Sequence, residues 1–228
     1  MADTPTGQHS SRPYIKREIT LNNYDAQHLY NRDYQRVSDA FFLLNIILPI
    51  IGDAEQTDKY ASNAVAELQR CGDDLDVEIK RMAALANENG LSVDQIDYTN
   101  AQQYAVAITS PMDNIFLSLI QQLDDLGGLM SILWIGGVFD QKQYRTGLHQ
   151  WRRRVQRLGT KVSTHVARAM KAARTAGKQS EVRKAMEEQG VKESMAELEP
   201  DSLMADEQEA DPQDTPSSAA SDTVAVTG

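Results

Sequence analysis

The chain has 228 residues, 41% hydrophobic and 25% charged, enough to bury one medium domain with a tail. Its single cysteine, Cys71, excludes an internal disulfide framework and a cysteine-based zinc site. The formal net charge of −10 hides a strong segregation: residues 145–184 carry twelve Lys/Arg against one acid, whereas the stretch from Glu187 onward carries twelve acids against one base. Local field, more than total charge, governs attraction of polyanions.

Residues 1–12 are polar and read as a disordered N-terminus without the basic and apolar regions of a signal peptide. After Pro13, the run Tyr14-Ile15-Lys16-Arg17-Glu18-Ile19-Thr20-Leu21 reads as a short strand. Ile15, Ile19 and Leu21 share one face by the two-residue period, and Arg17 interrupts it. Asn22-Asn23 supply an N-cap for a short helix.

Tyr30, Tyr34, Val37, Phe41, Leu44 and Leu48 then draw one helical stripe, closed by Pro49 and Gly52. The longest apolar run, residues 40–51, contains Asn45 and Pro49. It falls short of the roughly 20 residues a membrane span needs and reads as a buried helix. Ala61, Ala64, Leu68, Leu75, Ile79, Met82 and Ala86 mark the next helix, which Gly72 could divide and Asn89-Gly90 ends. Residues 103–109 (QYAVAIT) fit either a second strand or an extended linker.

Ser110-Pro111 opens a helix with Ser as cap and Pro at the first position; it carries Phe116, Leu119, Leu123 and Leu126, with Gly127-Gly128 as a weak point. Asp140 with Gln143 forms a capping box for the last long helix, striped by Leu148, Trp151, Val155, Leu158, Val162, Val166 and Ala169. Residues 13–176 thus form a helical domain, and 177–228 a largely disordered tail, acidic from 187.

The pattern lacks the machinery of an enzyme. The four histidines are scattered, and no phosphate-binding or dinucleotide glycine loop occurs. Asp73-Asp74-Leu75-Asp76-Val77-Glu78 lacks the glycine and terminal glutamate of a calcium loop and reads as a solvated helix face. No metal or cofactor is expected.

Two elements could contact DNA. A short strand leading into a helix is how ribbon-helix-helix proteins begin. Two such strands, one per chain, fit the major groove. The outward set is Tyr14, Lys16, Glu18 and Thr20, expected to contact bases; Arg12, Arg17, Asn22 and Asn23 flank it as candidate phosphate contacts. An ordinary edge strand would show the same spacing. The second element is the basic helix, with Arg152, Arg153, Arg154, Arg157 and Lys161 as candidate phosphate contacts. The same cations could form a solvated face or dock the acidic tail.

Certain short motifs carry a resemblance. Arg17-Glu18-Ile19-Thr20-Leu21, then Ala26-Gln27-His28-Leu29-Tyr30, Ser110-Pro111, Leu123-Asp124-Asp125-Leu126 and Trp151-Arg152-Arg153-Arg154-Val155 stand in the order and spacing of AcaB-type regulators of conjugative plasmids and integrating conjugative elements. The chain resembles them over residues 13–176. The resemblance implies a mainly α fold with a dimerising ribbon-helix-helix core embedded in extra helices. It also implies DNA binding and activation of conjugative-transfer genes. A lone strand this short leaves its backbone groups unpaired, and pairing with the same strand of a second copy would satisfy them, so a cytoplasmic bacterial homodimer on double-stranded promoter DNA is expected, with RNA polymerase as a further candidate partner. The alternatives are a non-specific nucleic-acid-binding accessory protein and a helical interaction scaffold.

Overall fold

Alternation of β-branched and polar residues after Pro13 produces β1 (Ile15–Leu21), and the same alternation in QYAVAIT produces β2 (Gln102–Ile108). The computed structural model describes residues 13–52 and 54–189. The two strands pair antiparallel, in register from Ile15 opposite Ile108 to Leu21 opposite Gln102. This resolves the strand-or-linker alternative for 103–109. It also corrects the expectation that β1 must find its partner in a second chain: its backbone is already paired within this one. Ile19, Leu21, Val106 and Ile108 are buried beneath the ribbon.

Asn23 caps α1 (Tyr24–Leu29), which runs through a single π turn, Tyr30–Tyr34, into α2 (Gln35–Ile51). The wide turn sets Tyr30 against Tyr34, ring centroids 5.1 Å apart, and against Tyr104 of β2 at 4.2 Å. A π turn of this kind re-aims side chains that regular helix would carry past the contact. Here it seats the ribbon on the helix. The stretch Tyr24–Ile51 is long and apolar enough to cross a membrane by length and composition. Its Val37, Phe41, Leu43, Leu44 and Ile47 are nevertheless buried in the protein's own core.

The remaining helices wrap that core. α3 (Ala54–Glu88) runs unbroken through Gly72, which resolves that alternative in favour of one helix, and Gly90 ends it with a left-handed φ of 70°. α4 (Pro111–Ile135) is capped by Ser110, whose hydroxyl accepts from the Asp113 amide at 3.1 Å, and continues through Gly127-Gly128. α5 (Gln141–Thr175) starts at the expected Asp140 capping box. At Gly159 a Cβ would stand 2.6 Å from Val37 Cγ2, so glycine lets α5 lie close on α2.

A sixth helix, α6 (Gln179–Glu188), lies within the span expected to be tail. It buries Val182 and Met186, and Lys178 before it donates to the Ile50 carbonyl at 2.6 Å. The expected disorder of residues 1–12 and the acidic segment from 190 onward fall outside the described residues.

Beneath the ribbon, the Tyr34 hydroxyl is buried with no hydrogen-bond partner among the described residues, as is Asp113 Oδ1. Burial first, then the Asp113 carboxylate and Tyr30, hold the Tyr34 phenol above its ordinary range, with Arg17 opposing. Burial also pushes Tyr60 up to about 12. The folded state keeps both phenols protonated where the unfolded chain has lost its protons. Their contribution is complete below about pH 10 and falls as pH rises beyond it. Tyr34→Phe is therefore expected to shallow the alkaline loss of stability. At neutral pH it should change stability by less than ~1 kcal/mol, since no hydrogen bond is lost. Urea titrations at neutral pH and above pH 10 check both; a large neutral-pH loss would show that the hydroxyl has a partner.

Candidate nucleic-acid interface

Strand pairing converts one exposed strand face into a two-stranded surface. Lys16 stands opposite Ala107, Glu18 opposite Ala105 and Thr20 opposite Gln103, and all six side chains are exposed. Tyr14, just before β1, is 61% exposed. The expected outward set therefore shares one solvent face. Lys16 and Glu18 pair along the strand at 3.7 Å with both side chains largely in water, a contact that costs little to break. Sequence reasoning missed Gln103, Ala105 and Ala107. Their signal was the alternation of QYAVAIT, with Tyr104, Val106 and Ile108 on the opposite parity.

The joint between β1 and α1 is held from α4. Asp124 accepts the backbone N–H of Asn22 at both oxygens, 2.9 and 3.0 Å, and that of Asn23 at 2.6 Å. The Asn22 amide also donates to it at 3.4 Å. Asn23 Oδ1 caps the Asp25 amide at 2.8 Å, and a Cβ on Gly127 would stand 2.6 Å from Asn23 Nδ2. Gln27 Nε2 donates to the carbonyls of Leu21 at 2.9 Å and Asn100 at 2.8 Å, tying the end of β1 to the approach to β2. Burial raises the Asp124 carboxyl above its ordinary range, against the lowering effect of these hydrogen bonds. Asn22 and Asn23 are thus committed to the joint, and Asn23 is only 6% exposed. Their first role in the fold is structural: they hold the turn from β1 into α1.

Three of the cations expected on phosphates are engaged inside the protein. Arg152 pairs with Asp25 of α1 at 2.8 Å and contacts His149 Nδ1 at 3.1 Å. Arg154 pairs with Asp74 and Lys161 with Glu67, both acids of α3, and the Arg154 guanidinium lies over the Trp151 ring. These pairs pin α5 to α1 and α3. They also account for part of the acidic run on α3, where Asp76 accepts from Gln122 at 2.6 Å.

Arg153 and Arg157 are exposed, as is Arg17 at the ribbon's inner edge; Arg12 lies outside the described residues. Arg168 and Lys171 follow Arg157 after three and four turns, on the same exposed face. No carboxylate among the described residues pairs with Arg157, Arg168 or Lys171. This leaves a cationic stripe roughly 21 Å long.

Beside the joint a cleft of about 720 Å³ is walled by Asp94, Asp97, Asp124 and Asp125 with Tyr98. Its charge opposes a polyanion, so the nucleic-acid candidates are the ribbon face and the α5 stripe. Among the described residues no three His, Cys, Asp or Glu side chains converge as a metal site.

No protein-family model matches the chain, and no curated protein does. Among solved structures, the crystal structure of selenomethionine-containing AcaB from uropathogenic E. coli is similar, with a TM-score of 0.75 and 30% sequence identity. The match covers 87% of this chain and 98% of that one.

Proposed function

This chain belongs to the AcaB family, and on that premise we propose that it is a sequence-specific DNA-binding regulator of a mobile genetic element, activating conjugative-transfer genes in the bacterial cytoplasm. The observation that carries the reading is the ribbon: two paired strands presenting Lys16, Glu18, Thr20 and Gln103 on one exposed face. A two-stranded β-ribbon has the width of the major groove. Lysine suits guanine O6 and N7, glutamate accepts from cytosine N4, and threonine is permissive. The exposed stripe of Arg157, Arg168 and Lys171 would add contacts to phosphate.

The edge of β1 away from β2 has no strand on it in the two-stranded sheet. Open edges are templates for pairing with another chain. Two copies joined there would present two ribbons related by a two-fold axis, the symmetry of a palindromic site. No dimer is required to satisfy the inner edge.

The stripe on α5 favours a second reading, sequence-independent binding by the same face. Footprinting on the promoters of the host element, with unrelated duplex as competitor, separates the two. A protected site that resists competitor is expected, with light scattering showing two chains per site. Lys16→Ala and Thr20→Ala should each weaken that site about tenfold or more while leaving the circular dichroism spectrum unchanged. Wild-type affinity in both variants would remove the ribbon as reader.

A further inference from the structure

We infer that β2 is a reading strand in its own right, and that Gln103 reads an adenine. This deepens the reading just proposed and rests on it. A reader of the groove floor must be exposed, must stand on the same face as the other readers, and must have unspent hydrogen-bonding groups. Gln103 meets all three conditions. It is exposed and directly opposite Thr20 in the strand register, so the two side chains leave the ribbon side by side. Its amide makes no hydrogen bond among the described residues, whereas Gln102 donates to Asn100 and Gln27 is consumed at the joint.

The rest of β2 fits the same role. On its outward parity it carries only Ala105 and Ala107 besides Gln103. Small side chains there keep that half of the ribbon low, so base edges can approach, and an alanine methyl can pack on a thymine methyl. On its inward parity Tyr104 lies against Tyr30 and Val106 and Ile108 are buried, which fixes the twist of the strand and the direction of its outward residues. A glutamine held this way offers one acceptor and one donor together, the complement of adenine N6 and N7 in the major groove. The recognition surface thus has two unlike halves. β1 supplies charged and hydroxyl groups, and β2 supplies one amide flanked by methyls.

The test is selection of bound sequences from a library of synthetic duplexes with a randomised core, using the full-length chain. The wild type should enrich a motif containing a required A·T pair. Gln103→Ala should lose the preference at that pair alone, keep the rest of the motif, and bind the wild-type consensus about five- to hundredfold more weakly. Gln103→Glu keeps an acceptor but loses the donor, so the preference should move from adenine towards cytosine. An unchanged motif and affinity in Gln103→Ala would overturn the role of β2, while a Lys16→Ala motif that still changes would leave the β1 reading standing. A wild-type protein that enriches nothing would overturn the DNA-reading function and this inference with it.

Discussion

Asp124→Ala is expected to cost about 2–5 kcal/mol of folding stability. The carboxylate accepts the backbone N–H groups of Asn22 and Asn23 from 102 and 101 residues away in sequence. Removing it leaves two amide donors at a largely buried site without a partner. Each buried unsatisfied donor costs roughly 1–3 kcal/mol. Asp124→Asn retains a carbonyl acceptor but sets an NH₂ group against N–H donors, so a smaller loss is expected. Urea unfolding followed by circular dichroism measures both, and a loss below about 1 kcal/mol for the alanine variant would show that water or another acceptor takes over. The effect on function follows from geometry. Asp124 fixes the angle at which β1 enters α1, and that angle aims the ribbon. On the proposed reading, a folded Asp124→Asn protein should lose specific affinity before it loses non-specific affinity.

What the amino-acid sequence disclosed was governed by distance along the chain. The caps at Ser110 and Asp140 and the left-handed end at Gly90 were legible because a cap and its partners lie within a few residues. The parity of β1 was legible for the same reason. The pairing of β1 with β2 joins Ile15 to Ile108, and no local pattern announces it. Whether Gly72 divides α3 was not legible locally, because a mid-helix glycine costs only about 1 kcal/mol and packing of α3 along α4 outweighs it. α6 was missed because Val182 and Met186 are its only buried apolar residues, one turn apart in a charged stretch. Within the candidate site, the basic character of α5 was plain. That Arg152, Arg154 and Lys161 answer acids on α1 and α3 was not, since those partners lie 80 to 127 residues away.

Those internal pairs decide which cations to remove in a test of phosphate binding. Replacing Arg152 would strand the largely buried Asp25 at a helix contact, confounding stability with affinity, whereas the Arg154–Asp74 pair is half exposed and its loss costs little. Arg157, Arg168 and Lys171 carry no such obligation among the described residues. Their simultaneous replacement by alanine is expected to leave thermal stability within about 1 kcal/mol, as surface changes do. On the proposed function it should weaken binding to every duplex, specific or random, by a similar factor. Each phosphate that a cation no longer neutralises takes about 0.9 from the slope of log affinity against log salt, so three would flatten it by roughly 2.7. The loss should therefore be greatest at low salt and shrink as salt rises. Affinities for the selected site and for a scrambled duplex at about 50 and 200 mM salt supply the measurement. An unchanged slope would mean that the stripe never reaches the backbone. A loss confined to the specific site would mean that α5, and not the ribbon alone, discriminates sequence.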